Sequence, residues 1–153
     1  MAKKIIILIF LLSIIVFLVI LRFTKIQPKK SQPQLEVGKC KFNVDLAETE
    51  EQKEQGLSGK EKMDKLTGML FIFTTAQQYH FWMKDMNFPL DFVWIKGNKI
   101  IDLSYNIPPS KNNQNIARVF PKEPVDKVLE INNGLINKCK IEIGSEVKFY
   151  PAN

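Results

Sequence analysis

A run of 17 residues from Ile5 to Leu21, in which Ser13 is the one polar side chain, constrains this chain more than any other feature. As a helix the run is about 25 Å long at ~1.5 Å per residue, and the hydrocarbon core of a bilayer is about 30 Å thick. A small globular domain seldom contains a helix that is apolar on every face. We therefore expect one transmembrane helix, with residues 5–23 in contact with the membrane.

The residues after this run argue against its removal as a signal peptide. Leu21-Arg22-Phe23-Thr24-Lys25 is bulky and charged where a signal peptidase requires small side chains. We expect an uncleaved anchor over residues 1–24, a polar linker over 25–34 and a single domain over 35–153. The short N-terminal tail with two lysines is typical of a signal-anchor that keeps its N-terminus in the cytoplasm. This predicts a single-pass protein of the cell membrane with an extracytoplasmic domain.

The excess of basic residues is confined to the N-terminal segment. The 153 residues carry a formal net charge of +6, and residues 1–34 hold six basic side chains and no acidic one. Residues 35–153 hold 16 of each sign. Binding to phosphates needs a basic face on the folded part, so we expect no nucleic-acid partner. Two cysteines and one histidine are too few for a four-thiolate or two-histidine metal site, and we expect no cofactor and no metal.

Apolar and alternating segments predict a mainly β (α+β) domain. They cover residues 41–46, 69–73, 79–83, 90–95, 99–103, 125–132 and 146–149. Thr49 and Gln52 form a capping-box pattern, and Gly56 is suited to a helix end, which predicts a short helix over 50–55. The expected fold is a compact β-barrel-like or sandwich domain of about seven short strands with one or two short helices.

Five motifs in this domain resemble the domain-of-unknown-function family 192. They are Gln55-Gly56-Leu57, Gly68-Met69-Leu70-Phe71-Ile72-Phe73, Phe81-Trp82-Met83-Lys84, Pro89-Leu90-Asp91, and Val128-Leu129-Glu130-Ile131 with Gly134. The resemblance implies a small β-rich, barrel-like domain, often behind a signal or anchor segment, and no settled biochemical activity. Two stretches depart from the family pattern: Ser58-Gly59-Lys60-Glu61 replaces a Met and an Arg, and Asp85-Met86 replaces Asn-Thr.

Asp91 interrupts an otherwise apolar strand. Side chains alternate between faces along a strand, so Asp91 shares a face with Val93 and Ile95. A buried carboxylate needs hydrogen bonds or a cation, and we expect Lys84 to supply the cation. The functional interpretation is a pocket with an Asp91–Lys84 pair and Trp82 as an aromatic wall. The structural interpretation is a carboxylate that caps a turn or lies at the sheet rim.

Two other residue sets offer alternatives. Glu130 could pair with Asp91 for hydrolytic acid–base chemistry, although a solvent-facing Glu130 explains the same pattern. His80, Met83 and Met86 carry donors that suit Cu(I). Strand parity separates His80 from Met83, which leaves His80 and Met86 as the copper alternative.

Cys40 and Cys139 lie near opposite ends of the domain. If the domain is exported, we expect them to form a disulfide that closes a long loop. Two separate buried thiols are the other possibility. Neither cysteine has a neighbouring histidine in the sequence, so a cysteine nucleophile is not expected.

Taken as a whole, the sequence predicts a membrane-anchored extracytoplasmic binding or accessory domain without catalysis of its own. The expected site contains Trp82, Lys84 and Asp91, with Glu130 and His80 as further candidates. A tryptophan beside polar groups suits a glycan or a peptide as the ligand.

Overall fold

The computed structural model describes residues 2–23, 31–110 and 115–152. The chain divides into two compact units, residues 1–30 and 31–153. The first is the helix α1, Ala2–Phe23, which contains the apolar run. Within the residues that the structure describes, no helix meets the length and apolarity that a membrane span requires. Most of the predicted linker, residues 25–30, lies outside the described residues.

The second unit is mainly β, as the sequence predicts. Its strands are β1 (Gln34–Val37), β2 (Cys40–Ala47), β3 (Thr67–Gln77), β4 (Phe81–Trp82), β5 (Leu90–Lys96), β6 (Lys99–Ile107), β7 (Arg118–Val119), β8 (Val125–Asn132) and β9 (Val147–Tyr150). Its helices are α2 (Glu50–Gln55) and α3 (Leu135–Lys138). Seven strands form one curled sheet in the order β6-β5-β8-β3-β2-β1-β9, and β4 pairs with β7 in a separate two-stranded sheet.

The large sheet curls into a half-barrel. Its two edge strands, β6 and β9, approach each other at one place. Lys99 at the start of β6 bridges to Glu146, just before β9, and the Ile100 amide donates to the Ser145 carbonyl at 3.0 Å. β2 and β3 are parallel, while the other neighbouring pairs of the sheet are antiparallel. This parallel pair is joined by the connection that contains α2, because parallel strands cannot be linked by a tight hairpin.

The helix α2 begins and ends where its sequence signals predict. The Thr49 side chain accepts from the Gln52 amide, and the Gln52 side chain accepts from the Thr49 amide, which completes the capping box. Gly56 ends the helix with φ +48°, a conformation that side chains with a Cβ rarely adopt. No residue of this helix is fully buried, so capping and its position over β3 hold it in place.

Two apolar clusters lie on the two faces of the sheet. The interior cluster draws on all seven strands and on α3, and Val93, Ile95, Leu129 and Ile131 belong to it. The outer cluster draws on the central strands β3, β5 and β8 and on the segments that cover them. Because β5 and β8 bury both faces, they read as nearly continuous apolar runs rather than as alternating ones.

The structure joins Cys40 and Cys139 by a disulfide, with their Cα atoms 5.4 Å apart. Cys40 begins β2 and Cys139 follows α3, 99 residues later. The bridge therefore fixes the end of α3 to the start of β2. This is the pairing that the sequence analysis expects for an exported domain.

Candidate functional site

A cavity of about 170 Å³ opens on the outer face of the sheet. Its floor is formed by β3, β5 and β8, and its walls by the end of α2 and by the segment that enters β4. Most of its lining side chains are aromatic or apolar. They are Leu57, Phe71, Phe73, Tyr79, Phe81, Trp82, Met86 and Leu90. Four further titratable groups line it besides Glu130: Lys53, Glu54, Tyr79 and His80.

The aromatic rings of this cavity pack against one another. Phe73 stacks on Tyr79 with 3.6 Å between centroids. Phe81 meets Phe71 edge to face at 4.9 Å and Phe92 at 5.8 Å. Such contacts add roughly 0.5–1.5 kcal/mol per pair beyond the area they bury, so they stabilise the cavity wall. Trp82, which is 53% exposed, stands at the rim.

Glu130 is the one residue of β8 that lines the cavity. Its neighbours on the adjacent strands are Met69 of β3 and Phe92 of β5. Glu130 is only 5% exposed. Burial raises the pKa of the Glu130 carboxyl to about 8, because the charged form loses its water. The solvent-facing interpretation of Glu130 is therefore wrong: the face is covered by α2 and β4.

No hydrogen bond or ion pair within the described ranges engages the Glu130 carboxyl. Every fully enclosed side-chain oxygen or nitrogen in these ranges does have a partner. The Glu130 oxygens must therefore reach the surface of the cavity. A buried carboxyl group with a raised pKa that opens onto a cavity is a candidate for a functional site.

Asp91 lies on the other face of the sheet from this cavity. It pairs across strands with Ile131, an interior residue, whereas Glu130 pairs with Phe92 on the outer face. The two carboxyl groups therefore do not share a cleft, and the geometry that a paired-carboxylate hydrolase needs is not formed by Asp91 and Glu130.

The expected Asp91–Lys84 pair is not formed either. The Asp91 carboxylate accepts from the amides of Asn106 at 2.8 Å and Ile136 at 3.1 Å. Lys84 is exposed and lies in the turn after β4, because that strand ends at Trp82. Among the side chains proposed from sequence, Trp82, His80 and Glu130 line one cavity, and Lys84 and Asp91 do not.

Replacing Asp91 by asparagine is expected to lower the free energy of unfolding by about 2 kcal/mol, because the amide group can satisfy only one of the two buried backbone donors. Urea unfolding at pH 7 measures this loss, with the exposed Glu123→Gln as a control for the change of charge. A variant as stable as the parent would show that the two amide contacts contribute nothing.

The two departures from the family pattern touch each other beside the cavity. The Ser58 hydroxyl donates to the Lys84 carbonyl at 3.0 Å, and the Gly59 amide donates to the Asp85 carbonyl at 2.9 Å. Asn87 also donates to the Lys60 carbonyl at 2.9 Å. The two changed segments are therefore held together by these hydrogen bonds beside the cavity.

For a metal, the described part of the chain offers no group of three or more His, Cys, Asp and Glu side chains. His80 and Met86 do line the same cavity, whereas Met83 is buried in the outer cluster. The His80 ring stacks on Phe120 with 5.2 Å between centroids.

A family profile matches residues 33–149, which is most of the chain. The chain belongs to the DUF192 family. That family is described only as an uncharacterized ACR. The match spans the whole cavity, from α2 to β8, so the site lies within the part of the chain that DUF192 proteins share.

Two solved structures have the same fold. One, described as a candidate transcription regulator from Sinorhizobium meliloti 1021, is 26% identical with a TM-score of 0.71 and covers 80% of this chain and 97% of its own. The other, a protein of unknown function from Novosphingobium aromaticivorans DSM 12444, is 22% identical with a TM-score of 0.67 and covers 80% of this chain and 89% of its own. No curated protein matches this DUF192 chain.

Proposed function

We propose that this protein is a membrane-anchored, extracytoplasmic binding domain that receives one group of its ligand in the aromatic cavity. The observation that carries the proposal is an aromatic cavity lined by the Glu130 carboxyl, which has no hydrogen-bond or ion-pair partner among the residues that the structure describes. Concave, mainly apolar sites with a few polar groups are the usual form of ligand sites.

The size of the cavity limits what can enter it. A cavity of about 170 Å³ is close to the ~150 Å³ that accommodates a benzene ring in an engineered protein core, and smaller than the ~300–1,000 Å³ of a site for a drug-sized molecule. One ring or one side chain therefore enters, and the rest of a larger ligand lies on the exposed rim around Trp82 and Phe120, which is 59% exposed. A peptide or a glycan meets this requirement.

A ligand screen against the full chain in detergent tests this proposal. We expect peptides or glycans that bind to raise the melting temperature by mass action. Trp82→Ala should weaken such binding, whereas Tyr105→Ala should not, since Tyr105 is a similarly exposed aromatic at 49% that lies outside the cavity lining. Ligands that bind both variants equally, or the failure of both ligand classes to bind, would contradict the proposal.

The anchor and the export form the second part of the proposal. The helix α1 is 22 residues long, and its large apolar side chains from Ile5 to Leu18 are exposed by 39% to 66% where they are described. Apolar side chains exposed on all sides of a helix are unfavourable in water and favourable in lipid. The Cys40–Cys139 disulfide supports a location of the domain outside the cytoplasm, because disulfides persist in oxidising compartments.

Membrane extraction checks the anchor. We expect the native protein to remain in the membrane fraction through washes with salt and carbonate, and to be released by detergent at its full length. A variant with Leu11 and Val16 both changed to Lys should be released without detergent, because charged side chains near the bilayer centre are costly. Recovery of a shortened native protein in the wash would show instead that the segment is cleaved.

Cu(I) binding is the second candidate function, and it is favoured by the shared position of His80 and Met86 in one cavity. Imidazole and thioether groups suit Cu(I). Competition with a coloured Cu(I) chelator tests it: His80→Gln and Met86→Leu should each weaken binding, while Met63→Leu, outside the cavity lining, should not. Equal binding by all three variants would rule out this site.

A further inference from the structure

We propose that the group received by the cavity is an organic ammonium, such as the side chain of a lysine or a free alkyl amine, held between the Glu130 carboxylate and the aromatic rings. This inference rests on the proposed binding function and names the chemistry of the ligand. It follows from three observations: the unpartnered carboxyl, the faces of the rings, and an ammonium of this chain that already lies at the rim.

The carboxyl is the first observation. Glu130 is only 5% exposed. Its oxygens reach the cavity, and they have no hydrogen-bond or ion-pair partner in the described ranges. A buried polar group without a partner costs free energy. An apolar ligand would enclose the carboxyl further and leave it unsatisfied, while an anionic ligand would be repelled by its ionised form. A cationic donor satisfies both its charge and its hydrogen-bonding capacity.

The rings are the second observation. Aromatic faces attract cations within about 6 Å of the ring centroid. Phe73, Tyr79, Phe81 and Trp82 line the same cavity as the Glu130 carboxyl. Phe73 and Tyr79 stack on each other, so the ring of Trp82, which is 53% exposed, is the one best placed to contact a ligand ammonium.

The third observation is Lys53 of α2. Its Nζ atom lies 4.9 Å from the centroid of the Phe73 ring, which lines the same cavity. The same Nζ pairs with Glu50 at 3.0 Å, and the side chain of Lys53 is only 13% exposed. The rim of the cavity therefore already holds one ammonium, that of Lys53, over the Phe73 ring. Because Glu50 balances the charge of Lys53, this lysine adds little repulsion against a second cation in the cavity.

Binding of an ammonium should release a proton. With its pKa raised to about 8, the carboxyl of Glu130 is mostly protonated at pH 7, and the ammonium pairs with the carboxylate after that proton passes to the buffer. The other titratable groups that face the cavity are Lys53, Glu54, Tyr79 and His80. Proton release should fall above pH 8, where the Glu130 carboxyl is already ionised before the ligand binds.

Isothermal titration of the full chain in detergent with n-butylammonium and with 1-butanol tests the inference. We expect butylammonium to bind about tenfold or more tightly than butanol, in keeping with a desolvated cation–carboxylate contact worth more than about 1.4 kcal/mol. Buffers of different ionisation enthalpy should show release of close to one proton at pH 7. Glu130→Gln should lose the preference for the ammonium and the proton release, and Glu123→Gln should retain both.

The outcomes separate this inference from the proposed function. If butanol binds as tightly as butylammonium and Trp82→Ala weakens both, the cavity binds ligands but does not select ammonium groups, and the inference is overturned. If the ammonium binds equally well to Glu130→Gln, it binds elsewhere, and the inference is again overturned. If neither probe and no peptide or glycan binds, the proposed function fails with it.

Discussion

Replacing Glu130 by glutamine is expected to remove most of the pH dependence of the free energy of unfolding between pH 5 and pH 8. In the parent, the folded state holds the proton of Glu130 up to a pKa of about 8, whereas the unfolded chain releases it near the ordinary value of 4.5. The proton therefore stabilises the fold fully below about pH 4.5, and this stabilisation is lost as the pH rises to about 8. At ~1.4 kcal/mol per pKa unit, the total loss is up to about 5 kcal/mol.

Urea unfolding of parent and variant at pH 5, 7 and 9 measures this difference. We expect Glu130→Gln to be similar to the parent at pH 5 and more stable by several kcal/mol at pH 9, because the amide has no proton to lose. The exposed carboxyl of Glu123 provides the control, and Glu123→Gln should follow the parent at each pH. Parallel curves for parent and Glu130→Gln would show that Glu130 is hydrated in the folded state.

Removal of the Cys40–Cys139 disulfide is expected to lower the free energy of unfolding by about 3–5 kcal/mol. The bridge joins residues separated by 99 positions, and a cross-link over a loop of this length restricts the unfolded chain strongly. The variant with both cysteines changed to alanine should lose slightly more than the reduced parent, because Cys139 is fully buried and its side chain fills space.

Denaturation of the oxidised parent, the reduced parent and the double alanine variant checks this prediction. A reducing agent should destabilise the parent and leave the alanine variant unchanged, which separates the effect of the bridge from effects of the reagent. If the parent resists the reducing agent and the variant is as stable as the parent, the bridge does not contribute to stability.

Local sequence patterns predicted those helices and strands that depend mainly on their own residues. The capping residues Thr49 and Gln52 with Gly56 gave the bounds of α2, and the apolar runs gave β5 and β8. The parity of β5 correctly placed Asp91 with Val93 on one face. The short strands β1 and β7 were not predicted as such, because their pairing depends on distant segments rather than on their own composition.

The partners of the two buried carboxyl groups could not be predicted in this way. Asp91 is satisfied by the backbone amides of Asn106 and Ile136, which any sequence could present. Glu130 alternates along β8 with the polar residues Asp126 and Asn132, a pattern that also fits a solvent-facing strand surface. Val128 lies on the same face of β8 as Glu130 and belongs to the outer cluster. This apolar residue was the one sequence signal that the outer face of β8 is covered as well. The covering itself depends on tertiary contacts of α2 and β4.

The order of the strands has a consequence for how this chain acquires its fold. β8 lies between β3 and β5 although it is the last but one strand in the sequence. Until residues 125–132 have been synthesised, β3 and β5 lack the neighbour that joins them, and the half-barrel cannot close. Contacts so distant in sequence make folding slow, in the range of milliseconds to seconds. The large sheet therefore cannot be completed until residues 125–132 have been synthesised, so the fold of this domain forms late in synthesis, after β3 and β5 have both emerged.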